Sequence, residues 1–307
     1  MQAIEVKNIQ KYYGATKAVD GISFSVASGE IFGMLGPNGA GKTTTTEIIE
    51  GLRVPDAGTA LVLGLDVARH AREVKTRIGI QLQNTALYPR LNVREVLDLF
   101  ATFFPGPNRS TDELIELVNL REKKKTLSKE LSGGQRQRLS VALALINKPE
   151  IVFLDEPTTG LDPQARRSMW DTIRSVRAGG ATVFMTTHYM EEAQTLCDRV
   201  AVVDAGKIIA LNSPNGLINE YFKESAIEFE LGGEMPPEGT FRPLAGVTGP
   251  AVREGQGVTL YTTDTTGTLG GLSHLAEAGT IHFDALSVRR ATLEDVFLKL
   301  TGKRIRE

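Results

Sequence analysis

The sequence predicts an α/β fold on a largely parallel sheet, followed by a smaller α+β unit. Three observations predict it. Short, mostly apolar runs (Ile31 to Leu35, Ile151 to Leu154, Thr182 to Met185) have the length and uniformity of strands covered on both faces. Segments of helical character alternate with them, the order of strands joined by crossover helices. Composition then shifts: residues 1–214 hold 18 Gly with a formal charge of +2, and the last 93 residues hold 13 Gly with −4.

Taken in order, Ala3 to Ile9 and Ile22 to Val26 alternate apolar and polar residues, as half-buried antiparallel strands do. Ser28-Gly29-Glu30 turns the chain into the buried run Ile31 to Leu35. A Gly-rich loop leads to the helical segment Lys42 to Leu52, which ends at Gly51 to Pro55. Residues 84–147 read as a helical insertion, with Val93 to Phe104, Thr111 to Val118 and Arg136 to Ile146 as its helices. The strands Ile151 to Leu154 and Thr182 to Met185 flank a helix over Gln164 to Ala178. After the strand-like run Ile208 to Leu211, Ser213-Pro214-Asn215-Gly216 marks a boundary between domains 1–214 and 215–307. In the tail, Ile227 to Leu231, Val258 to Thr263 and Ile281 to Val288 read as strands. Leu269 to Glu277 and Leu293 to Leu300 read as helices, the last opened by a capping pair, Thr292 and Asp295. A Gly/Pro-rich stretch, Gly232 to Gly257, interrupts them.

One cysteine, Cys197, closes no intrachain disulfide, so a cytosolic address is expected. No run of 18 apolar residues suggests a membrane span, and the first ten residues lack the pattern of a signal peptide. With 35 basic and 37 acidic residues there is no global field for nucleic acid. The run Arg121 to Lys125 has no interleaved aromatics and reads as a solvated loop or helix end. No nucleic-acid partner is expected.

Gly36-Pro37-Asn38-Gly39-Ala40-Gly41-Lys42-Thr43 lies between a predicted strand and a predicted helix, with Thr44 next in that helix. Glycines let consecutive backbone N–H groups turn toward phosphate oxygens, and the helix N-terminus adds partial positive charge. In this pattern Lys42 reaches the β- and γ-phosphates and the Thr43 hydroxyl ligates Mg²⁺. Ile151 to Leu154 delivers Asp155 and Glu156 to the strand's C-terminal end, the edge where ligands bind in such sheets. Asp155 suits the Mg²⁺ shell, and Glu156 suits orienting or deprotonating an attacking water.

Leu131-Ser132-Gly133-Gly134-Gln135 opens a predicted helix between these two motifs. With it the sequence resembles the nucleotide-binding subunit of an ATP-binding cassette (ABC) transporter. The resemblance implies a P-loop NTPase core with N-terminal antiparallel strands and a helical signature subdomain over residues 84–147, and ATP and Mg²⁺ as ligands. It implies that Ser132, Gly133, Gly134 and Gln135 cradle the γ-phosphate bound by a second subunit. Tyr13, before Gly14, matches the aromatic that stacks on adenine, with Tyr12 facing the other way. Gln83 matches the glutamine that senses Mg²⁺ and water, with Gln81 as its competitor. Asp162, after Gly160-Leu161, matches the loop crossing the dimer interface, and His188 matches the switch histidine. The implied catalytic set is Glu156, His188, Gln83 and Lys42, and the metal set Thr43, Gln83 and Asp155. His70, His274 and His282 have no metal-like spacing.

The ending, Ala291 to Gly302, and Thr187 to Ala193 resemble the ATPases of ABC-2 type exporters of the daunorubicin-resistance kind. That implies efflux of a drug-like or lipid-like compound. It further implies a separate transmembrane permease, a second copy or close relative as dimer partner, and a peripheral position at the cytoplasmic face of the membrane. The competing readings are a soluble non-transport ABC ATPase, such as an assembly factor for iron-sulfur centres, and a nucleotide-gated binding module without turnover.

Overall fold

The computed structural model describes residues 1–81, 87–233, 236–237 and 239–302. The chain divides into two compact units, one of Met1–Pro214 and one beginning at Asn215.

The first unit opens with β1 (Gln2–Tyr13) and β2 (Thr16–Ala27), paired antiparallel. Their alternation buries Ile4, Val6, Ile9, Val19, Ile22, Phe24 and Val26. Both strands outrun the alternating stretch, because register shifts on either side of Ile9 and after Lys11 carry polar residues into the ladder. Then come β3 (Ile31–Leu35), α1 (Lys42–Ile49), β4 (Ala57–Val62), β5 (Leu65–Asp66), α2 (Val67–Arg77) and β6 (Ile78–Gln81). The insertion holds α3 (Val93–Ala101), α4 (Thr111–Leu117) and α5 (Gly133–Ala144). β7 (Ile151–Asp155), α6 (Pro163–Ala178), β8 (Thr182–Thr187), α7 (Met190–Leu196), β9 (Arg199–Asp204) and β10 (Lys207–Asn212) complete it.

Two sheets result, of order β2-β1-β4-β5 and β10-β9-β3-β8-β7-β6. The first is antiparallel; in the second, only β10 runs against its neighbour. Every residue of β3, β7 and β8 is buried, as the uniform runs predicted. Phe24 of the antiparallel sheet stacks on Phe32 of β3 with ring centroids 5.1 Å apart, and Phe184 of β8 lies 5.7 Å from Phe32 and 5.5 Å from Phe153. This aromatic column packs the two sheets face to face beneath the C-terminal ends of β3, β7 and β8. Leu35 pairs with Thr187 there, and Asp155 pairs with Thr186.

The second unit carries α8 (Pro214–Tyr221), β11 (Ser225–Leu231), β12 (Val252–Glu254), β13 (Gly257–Thr262), α9 (Thr265–Glu277), β14 (Phe283–Arg290) and α10 (Leu293–Thr301). Its antiparallel sheet has order β12-β13-β11-β14. Ile227, Phe229, Phe241, Leu260 and Leu272 form its core. Asp295 accepts hydrogen bonds from the Thr292 N–H at 2.7 Å and hydroxyl at 3.0 Å, and pairs with Arg289 of β14 at 2.6 Å. The start of α10 is thereby fixed to the sheet edge.

Candidate active site

The loop between β3 and α1 can take its path only as a glycine-rich segment. A Cβ on Gly36 would stand 2.2 Å from the Val203 carbonyl oxygen, and one on Gly41, at φ +99°, would stand 2.2 Å from that of Ala18. Gly36 N–H donates to Thr187 O at 3.3 Å, and Ala40 O accepts from Gly206 N–H at 3.0 Å. Backbone of β8 and of the β9–β10 turn therefore fixes the loop at both ends. Gly36, Pro37, Asn38, Gly39, Ala40 and Gly41 wrap the N-terminus of α1, which starts at Lys42, Thr43 and Thr44.

Lys42 is buried, and its ammonium donates to Gly36 O at 2.8 Å and Pro37 O at 3.2 Å. It also lies 3.4 Å from Glu156 Oε1. Burial lowers its pKa and the Glu156 charge opposes that fall. Asp155 and Glu156 are buried at the end of β7. Burial raises the Asp155 carboxyl above the usual carboxylate range, against a hydrogen bond donated by Thr186. Burial pushes Glu156 up too, but the charges of Lys42 and His188 win and leave it below its ordinary value. Two adjacent carboxyls thus have opposite tendencies, one drawn toward the protonated form and one held ionised.

Glu156 sits at φ +47°, a left-handed conformation that costs a non-glycine residue energy. The Thr186 hydroxyl accepts from the Glu156 N–H at 3.0 Å, and Thr159 donates to Glu156 Oε2 at 3.2 Å. His188 Nδ1 lies 3.3 Å from Glu156 Oε1, a contact that lowers the pKa of that carboxyl. The sheet edge therefore gathers Lys42, Asp155, Glu156 and His188. The chemistry available there is water activation beside a phosphate-sized cradle. Thr43, from α1, approaches Asp155 closely enough for its hydroxyl to lower that carboxyl's pKa. A hydroxyl and a carboxyl side by side are oxygen ligands suited to Mg²⁺, which takes its remaining ligands from phosphates and water. Among the described residues no group of three His, Cys, Asp or Glu side chains could hold a metal ion.

Tyr13 is 44% exposed at the end of β1, with the Arg53 guanidinium 5.4 Å from its ring centroid. Arg53 in turn pairs with Glu47 of α1 at 2.6 Å. Asp56 accepts the Tyr12 N–H at 2.7 Å and the Lys11 ammonium at 2.8 Å. The signature residues lie apart from this cluster in their bonding. Ser132 is the N-cap of α5, accepting from Gln135 N–H at 3.3 Å while Gln135 Oε1 accepts from Ser132 N–H at 3.0 Å. Gly133 has open space around it, and a Cβ on Gly134 would stand 2.9 Å from Ala165 Cβ of α6. Asp162 caps α6 by accepting from Ala165 N–H at 2.9 Å. Gln83 lies outside the described residues; its competitor Gln81 is buried at the end of β6, paired with Leu154.

Thr186 escaped the sequence reading although it touches both carboxyl residues. Its signal was a hydroxyl residue at the end of a buried strand, which means something only once β8 is known to lie beside β7.

A model of the ABC transporter family matches residues 19–159. The Nod factor export ATP-binding protein I of Ralstonia nicotianae is 39% identical over 99% of this chain and 95% of its own length. The daunorubicin resistance ATP-binding protein DrrA3 of Streptomyces coeruleorubidus is 41% identical over 99% of this chain and 98% of its own. Among solved structures, the ADP conformation of an ATP-binding cassette of an ABC transporter superposes with TM-score 0.64 at 26% identity, covering 70% of this chain and 92% of that one. A nucleotide-free cassette gives TM-score 0.65 at 26% identity, over 71% and 94%. The similarity to these two relatives runs through both units of the chain. The loop, the carboxylate pair and the whole-length relatives lead to one conclusion: this chain belongs to the ABC transporter family, as an ATP-binding, ATP-hydrolysing subunit.

Proposed function

We propose that this chain is the motor of an exporter that moves a drug-like or lipid-like compound through a separate transmembrane permease. The observation that carries the reading is the meeting of Lys42, Glu156 and His188 at one sheet edge, in a chain whose relatives over 99% of its length are export and drug-resistance proteins.

Gly36 to Gly41 and the N-terminus of α1 bind the phosphates of ATP, Lys42 reaches the β- and γ-phosphates, and Thr44 contacts them from the first helical turn. Tyr13 stacks on adenine. Thr43, Asp155 and Gln83 would hold Mg²⁺, which when bound would neutralise developing phosphate charge. Glu156, kept ionised by Lys42 and His188, accepts a proton from the attacking water, and His188 steadies water and γ-phosphate together. The water oxygen bonds to the γ-phosphorus, the bond to the β-bridging oxygen breaks, and ADP leaves. Ser132, Gly133, Gly134 and Gln135 of one protomer face the γ-phosphate bound by its partner, and Asp162 lies at that interface. Two copies, or one copy and a close relative, close head to tail on two ATP molecules. Closure does work on the permease only because ATP favours the closed pair over the open one. Residues 1–214 are the nucleotide-binding domain, with its helical subdomain at about 84–147, and residues 215–307 are an accessory domain.

Among the described residues no helix is long and apolar enough to cross a membrane. A concavity of about 890 Å³ between α2 and the segment after α3 is lined by Arg72, Lys75, Phe103 and Lys148, and Phe103 is 61% exposed. This cationic, aromatic hollow, where α2 meets the helical insertion, supports that side as the permease contact. The test is ATP turnover by wild type and Glu156→Gln. The variant binds ATP, loses turnover by about 100-fold or more, and accumulates as a dimer. Equal turnover in the two would remove Glu156 from this role. Failure to enter the membrane fraction when expressed with a candidate permease would remove the exporter reading and favour a soluble ATPase.

A further inference from the structure

Glu192 of α7 is fully buried, although nothing in the proposed turnover uses it. A carboxyl is among the costliest groups to bury, and an apolar residue would pack there without that cost. The partners of this one are distributed over three segments. Its Oε1 accepts the Trp170 indole N–H at 3.3 Å, from α6. Burial raises its pKa, and the hydroxyls of Thr187 and Thr158 oppose that rise, so both hydroxyls face it. Both threonines are themselves buried. Thr158 comes two residues after Glu156, Thr187 comes one residue before His188, and Trp170 sits on the helix that Asp162 caps.

A second observation concerns the quality of these contacts. Glu192 Oε2 and Thr158 Oγ1 are both buried and neither completes a well-aligned hydrogen bond. Buried polar atoms are seldom left in this condition. The loop from Glu156 to Gly160 starts from the left-handed backbone of Glu156.

We propose that Glu192 is a positioning residue for ATP turnover: its carboxyl fixes the loop that follows Glu156 against the strand end that precedes His188. It touches neither water nor phosphate. It sets the distance between the two groups that do, and a loose setting slows the chemical step without weakening nucleotide binding. The proposal rests on the roles given above to Glu156 and His188.

The experiment uses the full chain and compares wild type, Glu192→Gln, Glu192→Leu and Glu156→Gln in steady-state ATP turnover. Trp170 is the only tryptophan, so its fluorescence reports on the same network. Glu192→Gln keeps an acceptor for the indole and is expected to retain kcat within about threefold, with unchanged emission. Glu192→Leu is expected to lower kcat by about tenfold or more, leave KM for ATP within about twofold, and shift the Trp170 emission. Should the leucine variant fail to fold, Thr158→Val removes one hydroxyl at nearly constant shape and is expected to lower kcat by about threefold with KM unchanged. The proposal is overturned if the leucine variant keeps wild-type kcat, or if KM rises as kcat falls. It is also overturned if the glutamine variant is as slow as the leucine one. Full turnover in Glu156→Gln would instead overturn the reading of Glu156, so the two failures are distinguishable.

Discussion

Replacing Glu50 by glutamine should stabilise the first unit, by an amount that depends on pH. Glu50 caps the C-terminal end of α1 and is 3% exposed. Its carboxyl is pushed up to about 8, first by burial and then by the negative charges of Asp155 and Glu47, with Lys75 pulling the other way. In the unfolded chain the same group titrates near 4.5. At intermediate pH the folded chain holds a proton that the unfolded chain has released. The contribution of Glu50 to stability is therefore fully present below pH 4.5, is lost as pH rises through the window from 4.5 to 8, and levels off above it. At pH 7 the loss is about 3 kcal/mol, taking 1.36 kcal/mol for each pH unit between the unfolded value and the working pH. Glutamine has nearly the same shape and no proton to release. The assay is urea unfolding of the nucleotide-free full chain, wild type against Glu50→Gln, at pH 6, 7, 8 and 9. The stability difference should grow by about 1.4 kcal/mol per pH unit up to about pH 8 and then stay flat. A constant difference across that range would refute the reasoning, because Glu50 would then have the same charge in both states.

Other outcomes follow from the same coordinates. Tyr13→Ala should raise KM for ATP by about five- to tenfold while leaving inhibition by inorganic triphosphate unchanged, since it removes a base contact and no phosphate contact. Phe184→Ala opens the aromatic column between the sheets and should cost about 3 to 5 kcal/mol by urea denaturation. A Cβ on Gly79 would stand 1.8 Å from the Ala144 carbonyl oxygen, so Gly79→Ala should cost about 3 kcal/mol in the same measurement, by forcing β6 and α5 apart.

Legibility in the sequence followed the manner of burial. β3, β7 and β8 were readable because strands buried on both faces are apolar throughout. α2 was not, because only Val67 and Val74 of its eleven residues are buried, too few to make a stripe. β12, three residues within the Gly/Pro-rich stretch, exists by virtue of its partner β13 rather than its own composition. α5 begins at Gly133 rather than Arg136, since the Ser132–Gln135 capping box starts a helix that two glycines would otherwise discourage. The loop glycines, Lys42, Asp155, Glu156 and His188 were legible through motif spacing. Thr186, Glu50 and Glu192 were not. Each matters through a neighbour distant in sequence, and such neighbours become visible only when the strands are ordered in space.

The clasp between Tyr13, Arg53 and Glu47 bears on how the chain distinguishes nucleotides. It joins the aromatic at the end of β1 to the helix whose other end carries the glycine-rich loop, so platform and loop belong to one connected caliper. On the roles proposed above, its span would meet adenosine and the first two phosphates alike in ATP and ADP. Discrimination between them then falls to the far jaw, where Glu156 and His188 stand. On that reading the chain would sense the presence of fuel at one end of a gauge whose other end is blind to it.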